Sequence, residues 1–266
     1  ASAYYPSPFQ KAAILTLDGV GEWSTASICL GEGKNITLLR ELSFPHSLGL
    51  LYSAFTYFLG FRVNSGEYKL MGLAPYGNPQ SEELSRYIDI IKNKLVDIKP
   101  DGSIWLNQSY FNYAAGLRMV HDNKWAKLFG FRKRDPEAEL EAHHCNLGLA
   151  IQLVTEEIIL LMAKEAKRIT GAENLCLAGG VALNCVANGK LLNSGIFKEL
   201  FMQPAAGDAG GALGAALAAH HIFFGKERKA LSGQADGMQG AYLGPEYSEL
   251  DVRLMAKKYK APHTQY

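Results

Sequence analysis

The sequence predicts a mixed α/β fold in which an antiparallel meander is followed by alternating strands and helices. Three observations support this prediction. Short apolar runs separated by glycine turns come first, a long run with apolar residues at helical spacing lies in the middle, and two strand, turn and helix units follow it. Strands joined through helices pair in parallel by right-handed crossovers, so we expect a mixed sheet with flanking helices.

The meander is predicted near the beginning of the chain. Two apolar strands flank the turn-like sequence DGVGEWS, and a third strand follows them. The three predicted strands are residues 12–18, 25–30 and 36–44. The apolar run 48–61 is long enough for a buried helix, and Pro45 separates it from the third strand.

The central part of the chain is predicted to be mainly helical. Residues 66–77 are expected to form one turn of helix closed by glycine and proline, and residues 81–95 a polar helix. An Asp-Gly pair predicts a tight hairpin within residues 97–106, whereas residues 108–142 show only weak periodicity. Apolar residues recur at helical spacing through residues 145–169, which predicts one long helix.

The last part of the chain predicts two strand, turn and helix units. The strands are expected at residues 174–178 and 200–202, and the helices at residues 182–192 and 208–224. Residues 234–266 are polar and rich in turn residues, so we expect them to be a connector that leaves the fold. Residues 1–233 are therefore assigned to one domain.

Composition excludes several classes of protein. The 266 residues are 48% hydrophobic and 20% charged, which excludes a disordered or fibrous chain. The 27 basic and 26 acidic residues leave a net charge of +1, so we expect neither nucleic acid nor an anionic membrane as a partner. No apolar run approaches the roughly 20 residues that cross a bilayer, and no signal peptide is recognised. The four scattered cysteines are typical of reduced thiols in the cytoplasm.

A glycine pair that follows the strand at 174–178 is the first candidate anion site. Gly179 and Gly180 lack side chains, so a nucleotide could approach the backbone closely there, with Val181 beside them. Asn184 offers an amide in the first helical turn. The alternative interpretation is close packing of the helix without a ligand, and the pattern alone does not decide between the two.

The turn DGVGEWS is the second candidate. It nearly matches the dinucleotide fingerprint G-x-G-x-x-G, but Ser24 replaces the third glycine and a strand follows instead of a helix. A hairpin that grips phosphate through Gly19 and Gly21 fits better. The alternative for Asp18 is an ordinary Asp-Gly turn residue.

The third candidate is Gly207 with Asp208, at the start of the last predicted helix. An aspartate at this position is most often an N-cap, and that is the alternative interpretation here. Asp18 and Asp208 could also share a divalent ion that touches phosphate oxygens, although two carboxylates alone leave its shell incomplete.

The histidines and the known catalytic motifs add little. The adjacent pairs His143-His144 and His220-His221 should point about 100° apart in a helix, so we interpret them as surface or packing residues. The sequence lacks G-x-S-x-G, H-E-x-x-H and G-x-x-x-x-G-K-[ST], which disfavours hydrolase elbows, zincins and P-loop enzymes.

Four blocks follow one another in the sequence: LTLDGVGEWSTASI, GEYKLMGLAPYG, LAGGVALN and QPAAGDAGGALGAAL. Together and in this order, they resemble the family of antibiotic and nodulation O-carbamoyltransferases. The resemblance covers nearly the whole chain. It implies the ribonuclease H-like fold of actin, Hsp70 and sugar kinases, and similarity to enzymes that attach threonylcarbamoyl to tRNA adenosine. It also implies transfer of a carbamoyl group from carbamoyl adenylate, made from ATP and carbamoyl phosphate, to a hydroxyl of a small-molecule or sugar acceptor.

The resemblance further implies roles for single residues. Those expected to bind the nucleotide or the carbamoyl group are Gly19, Gly21, Lys69, Gly179, Gly180, Val181, Asn184 and Gly207. For Lys69, in GEYKLMG, a solvated helix lysine is the alternative. No general base is identified.

A metal ion and a second domain are implied as well. The family holds an ion, usually iron(II), between phosphate and carbamoyl group with two aspartates and two histidines of an H-x-x-x-H motif. Asp18 and Asp208 match the aspartates, whereas the histidine motif precedes the stretch that begins here at Ala1. A YrdC-like domain that forms the adenylate normally follows the tail. We therefore expect a fragment of the transfer domain, truncated at its start, that folds but does not turn over alone.

Other functions remain open at this point. A sugar-kinase-like ATPase or a tRNA-modifying transferase of the same superfamily would share the fold, but the block GEYKLMGLAPYG favours O-carbamoyl transfer over both. A module that senses ATP or AMP would bind nucleotide without acceptor chemistry, and a plain oligomeric scaffold would bind none.

Overall fold

A computed structural model describes residues 1–229, 236–262 and 264 of the chain. Its strands are β1 (Lys11–Leu17), β2 (Ser24–Glu32), β3 (Asn35–Ser43), β4 (Val96–Ile98), β5 (Ile104–Leu106), β6 (Asn174–Ala178) and β7 (Glu199–Met202). Five of them form one sheet in the order β3-β2-β1-β6-β7, while β4 and β5 form the separate predicted hairpin. The predicted mixed sheet is confirmed.

The main sheet combines both kinds of strand pairing. β1 and β3 are antiparallel to β2, whereas β6 is parallel to both β1 and β7. Leu15 in β1 lies opposite Ile28 on one side and opposite Leu177 on the other. Because parallel strands end at the same edge of a sheet, the turns that follow β1, β6 and β7 lie close together.

Both faces of β1 are buried. Ala13, Leu15 and Leu17 contribute to the larger core, while Ala12 and Ile14 contribute to a smaller core on the opposite face. A nearly continuous apolar run such as AAILTL, interrupted only by Thr16, is typical of a strand covered on both sides.

Helices cover the larger core. They are α1 (Leu48–Phe58), α2 (Glu67–Leu73), α3 (Glu82–Ile90), α4 (Asp122–Phe129), α5 (Ala142–Thr170), α6 (Cys185–Asn193), α7 (Ala209–Ala218) and α8 (Glu249–Lys258). Of these, α1 to α6 contribute buried side chains to that core. Within it, Trp125 of α4 packs its ring against Phe55 and Phe58 of α1, with centroids 4.8 and 5.3 Å away.

The long helix α5 corrects the expectation that no run is apolar enough to cross a bilayer. By length and composition it passes that test, but 67% of its most apolar stretch is buried inside the protein. Its residues Leu147, Ile151, Val154 and Ile158 are almost completely inaccessible. It is therefore the central helix of the core.

Several predicted helices have different bounds. Residues 66–77 form α2 and then a 3-10 turn, Ala74–Tyr76, instead of a single turn. The predicted helix 182–192 is interrupted, because a 3-10 turn, Gly180–Leu183, precedes α6. The helix predicted for 48–61 ends early, and Gly60 follows it with a φ of +76°. A left-handed conformation of this kind stops a helix.

The two remaining long helices continue as wider turns. α3 runs into a π-helical segment, Ile91–Leu95, and α7 into another, Ala219–Phe223. Local periodicity does not distinguish α from π turns, so the sequence predicted each as one helix. α4 falls in the stretch 108–142, where weak periodicity had supported no assignment.

The tail differs from a simple connector. Met238 is buried in the smaller core with Tyr4 and Phe9, and the Gly237 amide donates to the carbonyl of Pro6 at 2.7 Å. The tail also contains α8, which the expectation of a turn-rich segment missed. The predicted domain boundary at 233 lies outside the described residues.

Candidate functional site

Three turns meet at the edge of the sheet where β1, β6 and β7 end. The amide of Gly179, after β6, donates to the carbonyl of Ala206, after β7, at 2.8 Å. The amide of Gly180 donates to Asp18 Oδ1 at 3.3 Å. A Cβ added to Gly207 would lie 4.0 Å from the Gly180 Cα. The structure therefore brings together three of the four blocks singled out in the sequence.

The turn after β1 is fixed by backbone and hydroxyl contacts. Asp18 Oδ1 also accepts from the amide of Gly19 at 2.7 Å. Ser47, the completely buried N-cap of α1, directs its hydroxyl at two carbonyls, 2.9 Å from that of Asp18 and 2.6 Å from that of Gly19. The same hydroxyl accepts from the Leu50 amide at 3.0 Å. The carboxylate thus has a defined position beside the start of α1.

Gly49 allows α1 to approach this turn. A Cβ at Gly49 would lie 2.5 Å from the Asp18 carbonyl oxygen, so any side chain would push the helix away. The amino end of α1, which carries a partial positive charge, consequently lies next to Asp18. The sequence analysis did not single out Ser47 or Gly49, although a serine before an apolar run is a typical N-cap signal.

The glycines of the site differ in what they do. Gly179 has a φ of +90°, and an added Cβ would lie 2.1 Å from the carbonyl oxygen of Leu17. Gly21 closes the hairpin by donating to the Ser24 carbonyl at 2.9 Å. At Gly19, no described atom outside residues 18 to 20 lies within 4 Å of an added Cβ. Gly179 is thus required by the backbone, whereas Gly19 leaves open space beside a carboxylate.

Asp208 is exposed at the start of α7. Among the described residues, its side chain makes no capping hydrogen bond with the helix, so the N-cap interpretation is not supported. Its neighbour Gly207 lies near the Gly180 turn, because a Cβ added to Gly207 would be 4.0 Å from the Gly180 Cα. Val181 is half-buried within that turn.

Asn184 has two structural tasks. Its Oδ1 caps α6 by accepting from the Ala187 amide at 3.0 Å. Its whole amide also pairs with Gln152 of α5, through bonds of 3.0 and 3.1 Å. Because Asn184 is only 9% exposed, these contacts fix the end of the glycine turn to the core helix. Its predicted contact with adenosine stays a prediction.

Gln152 is the hub of a buried polar network. Besides Asn184, its Oε1 accepts from the Tyr52 hydroxyl at 2.9 Å, and its Nε2 donates to Glu156 at 2.8 Å. Burial raises the pKa of Tyr52, so this hydroxyl remains a donor. Glu156 is 4% exposed and forms an ion pair with Lys190 of α6. The carbonyl oxygen and the NH2 group of the Gln152 side-chain amide are therefore both fully used.

We expect Asn184→Ala to reduce the free energy of unfolding by about 2 to 3 kcal/mol, through the lost cap and the two hydrogen bonds lost to Gln152. Asn184→Ser keeps a capping oxygen without burying a charge, so its loss should be smaller. Urea denaturation followed by circular dichroism measures both changes. Equal losses for the two variants would show that the cap contributes nothing.

Lys69 is exposed on α2 and lies on a different face of this helix from Met71. Met71 Sδ lies 3.9 Å from Cys185 Sγ, which places this part of α2 beside the start of α6. Residues two positions apart lie about 200° apart around a helix, so Lys69 is on a different face of α2 from Met71. Contact of Lys69 with a ligand stays a prediction.

Comparison with known proteins identifies the family. The family model described as the carbamoyltransferase N-terminus matches residues 1–217. The chain belongs to this family.

Relatives of this carbamoyltransferase N-terminal domain are longer proteins. The chain is 52% identical over 257 residues to an uncharacterized protein of Synechocystis, and the match covers 97% of this chain and 40% of the relative. It is 34% identical over 248 residues to nodulation protein NolNO of Sinorhizobium fredii, with 92% of this chain and 32% of the relative covered. It is 36% identical over 218 residues to nodulation protein NolO of Bradyrhizobium diazoefficiens, with 81% of this chain and 36% of the relative covered. The chain thus spans two fifths or less of the length of each.

The described residues of the carbamoyltransferase domain do not by themselves form a complete metal site. Among them, no group of three or more histidine, cysteine, aspartate or glutamate side chains could hold an ion. Asp18 lies beside the Gly180 turn, and Asp208 follows Gly207, which lies near the same turn. These two carboxylates would supply only part of a coordination shell. We therefore assign no reaction step to a metal.

Of the histidine pairs in this domain, His143 and His144 pack their rings against each other, whereas His220 is exposed. The expectation that adjacent rings point apart is wrong for His143 and His144, whose Nε2 atoms lie 3.1 Å apart. His144 is 5% exposed, and its Nδ1 accepts from the Glu141 amide at 2.9 Å, which closes a capping box at the start of α5. His221 Nδ1 lies 2.9 Å from the Lys226 carbonyl.

His144 should make stability depend on pH. Burial, and secondarily the neighbouring His143, lowers the pKa of His144 from 6.5 to about 4. Between these values the unfolded chain binds a proton that the folded chain does not, so stability falls as pH drops from 6.5 towards 4. Urea midpoints across this window should show a flatter profile for His144→Gln. The exposed His220→Gln is the control, and an equal flattening there would contradict the assignment.

Proposed function

We propose that this domain binds carbamoyl adenylate, formed from ATP and carbamoyl phosphate, and takes part in O-carbamoyl transfer. The hydrogen bond between Asp18 and Gly180 is the main support, because it joins two glycine-rich blocks at the carboxyl ends of parallel strands. Open α/β sheets bind nucleotides at such edges. The actin and sugar-kinase type of fold belongs to the same proposal.

The turns offer suitable groups for an adenylate. The open space at Gly19 and the nearby amino end of α1 would accommodate the phosphate and carbamoyl group, with Gly21 closing the hairpin. Gly179, Gly180 and the following turn would lie against the adenosine. Asp208 is exposed next to the same turns and is free to meet a ligand.

The proposed reaction forms one bond and breaks another. The acceptor hydroxyl oxygen attacks the carbamoyl carbon, and the bond from that carbon to the phosphate oxygen breaks, so AMP leaves with the electron pair. The hydroxyl proton passes to a base that we leave unassigned. Because a mixed anhydride is already activated, the protein needs mainly to position the reactants and to balance phosphate charge.

The rest of the polypeptide completes this proposal. We propose that it supplies a YrdC-like domain that forms the adenylate, and the two histidines that would hold an iron(II) ion together with Asp18 and Asp208. The acceptor would be a hydroxyl of a small molecule or a sugar, and the reaction would take place in the cytoplasm.

Calorimetry with AMP tests the binding step on the chain itself. Gly19→Val should weaken AMP binding at least tenfold, because the new side chain fills the space beside this turn, and its Cβ has no described atom within 4 Å outside residues 18 to 20. Gly189→Ala, in α6 and equally free of contacts at its Cβ, is the control. Absence of AMP binding to the wild-type chain would contradict the proposed site.

The transfer step needs the full-length protein. Incubation with ATP, carbamoyl phosphate and a metabolite extract should yield a product heavier by one carbamoyl group, detected by mass spectrometry. AMP binding without any such product would instead favour a nucleotide-sensing module. Release of phosphate from ATP in the absence of carbamoyl phosphate would favour a sugar-kinase-like ATPase.

A further inference from the structure

A groove lies between the segment that follows α1 and the two segments that flank α4. Its volume is about 460 Å³, within the range of roughly 300 to 1,000 Å³ that is usual for small-molecule sites. The lining side chains that matter here are those of Tyr57, Phe61, Arg62, Leu117, Met119 and Lys133. The sequence analysis assigned no function to any of them.

The buried Arg134 joins two walls of this groove. Its Nε donates to the carbonyl of Leu59, at the end of α1, at 2.7 Å, and its backbone amide donates to the carbonyl of Phe58 at 3.0 Å. Gly60 makes this approach possible, because a Cβ there would lie 2.6 Å from the Arg134 carbonyl oxygen. The segment after α1 and the segment after α4 are therefore fixed to each other before any ligand arrives.

The apolar part of the groove is partly open to solvent. Phe61 and Met119 are half-buried and pack against the larger core, while Leu117 is fully exposed. The Met119 carbonyl accepts from the Asn112 amide at 3.0 Å, which fixes this side of the groove. A ligand that covers apolar surface of this kind is stabilised by its removal from water. The thioether of Met119 also favours contact with the edge of an aromatic ring.

Two cations of the groove have no counter-ion. Among the described residues, the side chains of Arg62 and Lys133 form no ion pair and no hydrogen bond. The Lys133 ammonium lies 4.6 Å from the centroid of the Tyr57 ring, an attraction that holds the ammonium without neutralising it. Burial raises the pKa of Tyr57, so this hydroxyl stays neutral. Asp122, whose charge also acts on Tyr57, is already paired with Arg118 at 2.8 Å.

Acidic residues that follow Lys133 in the sequence leave its charge in place. Asp135 and Glu137 are exposed, neither lines the groove, and within the described part of the chain neither forms an ion pair. Two positive charges therefore meet beside one apolar surface. An anion with an apolar body complements both.

A planar aromatic acid has the matching chemistry. A guanidinium binds a carboxylate or a phosphate through parallel N–H bonds, and an ammonium adds a second charge. A rigid ring loses little conformational freedom when it binds. We propose that this groove binds an aromatic molecule that bears one anionic group, a carboxylate or a phosphate. Its ring would lie against Phe61 and Met119, and its anion between Arg62 and Lys133.

The groove is separate from the candidate reaction site. Tyr57 is near the carboxyl end of α1, whereas Ser47 caps the amino end beside Asp18. The 11 residues of α1 place its two ends about 16 Å apart. Among the described lining residues, none is proposed to bind the adenylate. Binding of an aromatic acid therefore goes beyond the proposed function and does not depend on it.

An NMR titration with 2-naphthoate tests the proposal on the chain labelled with ¹³C at its methionine methyl groups. The Met119 signal should shift in a saturable way, while that of the buried Met162 should not. The uncharged 2-naphthylmethanol should bind about tenfold more weakly, because it makes no charge-assisted bond. A parallel titration with 2-naphthyl phosphate shows which of the two anions the groove prefers.

Substitutions test the two cations. Arg62→Met and Lys133→Met should each weaken naphthoate binding about tenfold, since each retains an unbranched apolar side chain and removes one charge. Arg132→Met is the matched control, because Arg132 is an exposed cation next to Lys133 that does not line the groove. Its affinity should stay within about twofold of that of the wild type, because solvent and salt screen its charge.

Three outcomes would overturn the proposal. These are an unshifted Met119 signal, equal affinities for naphthoate and the uncharged alcohol, or an equal loss in Arg132→Met, which would mean that only the general positive field attracts the acid. Calorimetry with AMP separates the two proposals. Naphthoate binding without AMP binding refutes the proposed function alone. A loss of AMP binding in Lys133→Met would place the nucleotide in the groove and contradict the site at the glycine turns.

Discussion

Gly179→Ala should destabilise the domain by about 3 to 5 kcal/mol and abolish binding at the glycine turns. Two costs add up. The φ of +90° is strained for any residue with a side chain, and the new Cβ would lie 2.1 Å from the Leu17 carbonyl oxygen. Relief of this overlap must separate β1 from the Gly179 turn. That movement also breaks the bond from the Gly179 amide to Ala206, so the edge of the sheet opens.

Urea denaturation of the wild type and of Gly179→Ala measures this loss of stability, and calorimetry with AMP measures binding. Gly189→Ala is the matched control, because Gly189 lies in α6 with open space at its Cβ. Alanine is the better helix former, so this control should gain up to about 1 kcal/mol. A Gly179→Ala protein as stable as the wild type would show that the turn adapts and that its left-handed conformation is dispensable.

Arg228→Met should also cost about 3 to 5 kcal/mol. Arg228 is only 6% exposed, and its guanidinium lies 4.3 Å from the centroid of the Tyr4 ring. It donates to the carbonyl oxygens of Tyr4, Tyr5, Ser7 and Phe9. Methionine fills similar space but donates nothing, so several buried carbonyls lose their partner. The segment before β1 should then detach from the smaller core.

Thermal denaturation and limited proteolysis check this expectation. New cleavage sites should appear before β1 in Arg228→Met. Arg228→Lys keeps the charge but cannot reach so many carbonyls, so its stability should lie between that of the wild type and that of Arg228→Met. Arg118→Met is the control, because Arg118 is 65% exposed and pairs with Asp122 on the surface. Equal effects at the two arginines would contradict the anchoring role of Arg228.

The sheet and the meeting of the turns could be predicted from the sequence because both depend on local patterns. The alternation of strands and helices places the carboxyl ends of β1 and β6 side by side, and the glycines mark where the backbone turns. The structure indeed joins Asp18 and Gly180 at one such edge. Local patterns do not reach contacts between side chains that are far apart in the chain.

The remaining features depend on such distant contacts. Gln152 lies 100 residues from Tyr52 and 32 from Asn184, and nothing in its own surroundings marks a buried hub. His46 and Trp105 come from different elements, and only the fold packs their rings together. The break before α6 has the same origin, since the pairing of Asn184 with α5 determines where that helix begins.

The saturated hydrogen bonding of Gln152 has an evolutionary consequence. A homologue that replaces this glutamine with an apolar residue would remove hydrogen-bond partners from the buried amide of Asn184 and from the buried carboxylate of Glu156. Drift at positions 52, 152, 156, 184 and 190 should therefore be correlated, with changes arriving as compensated sets. Surface positions of α5 carry no such constraint and are free to diverge one at a time.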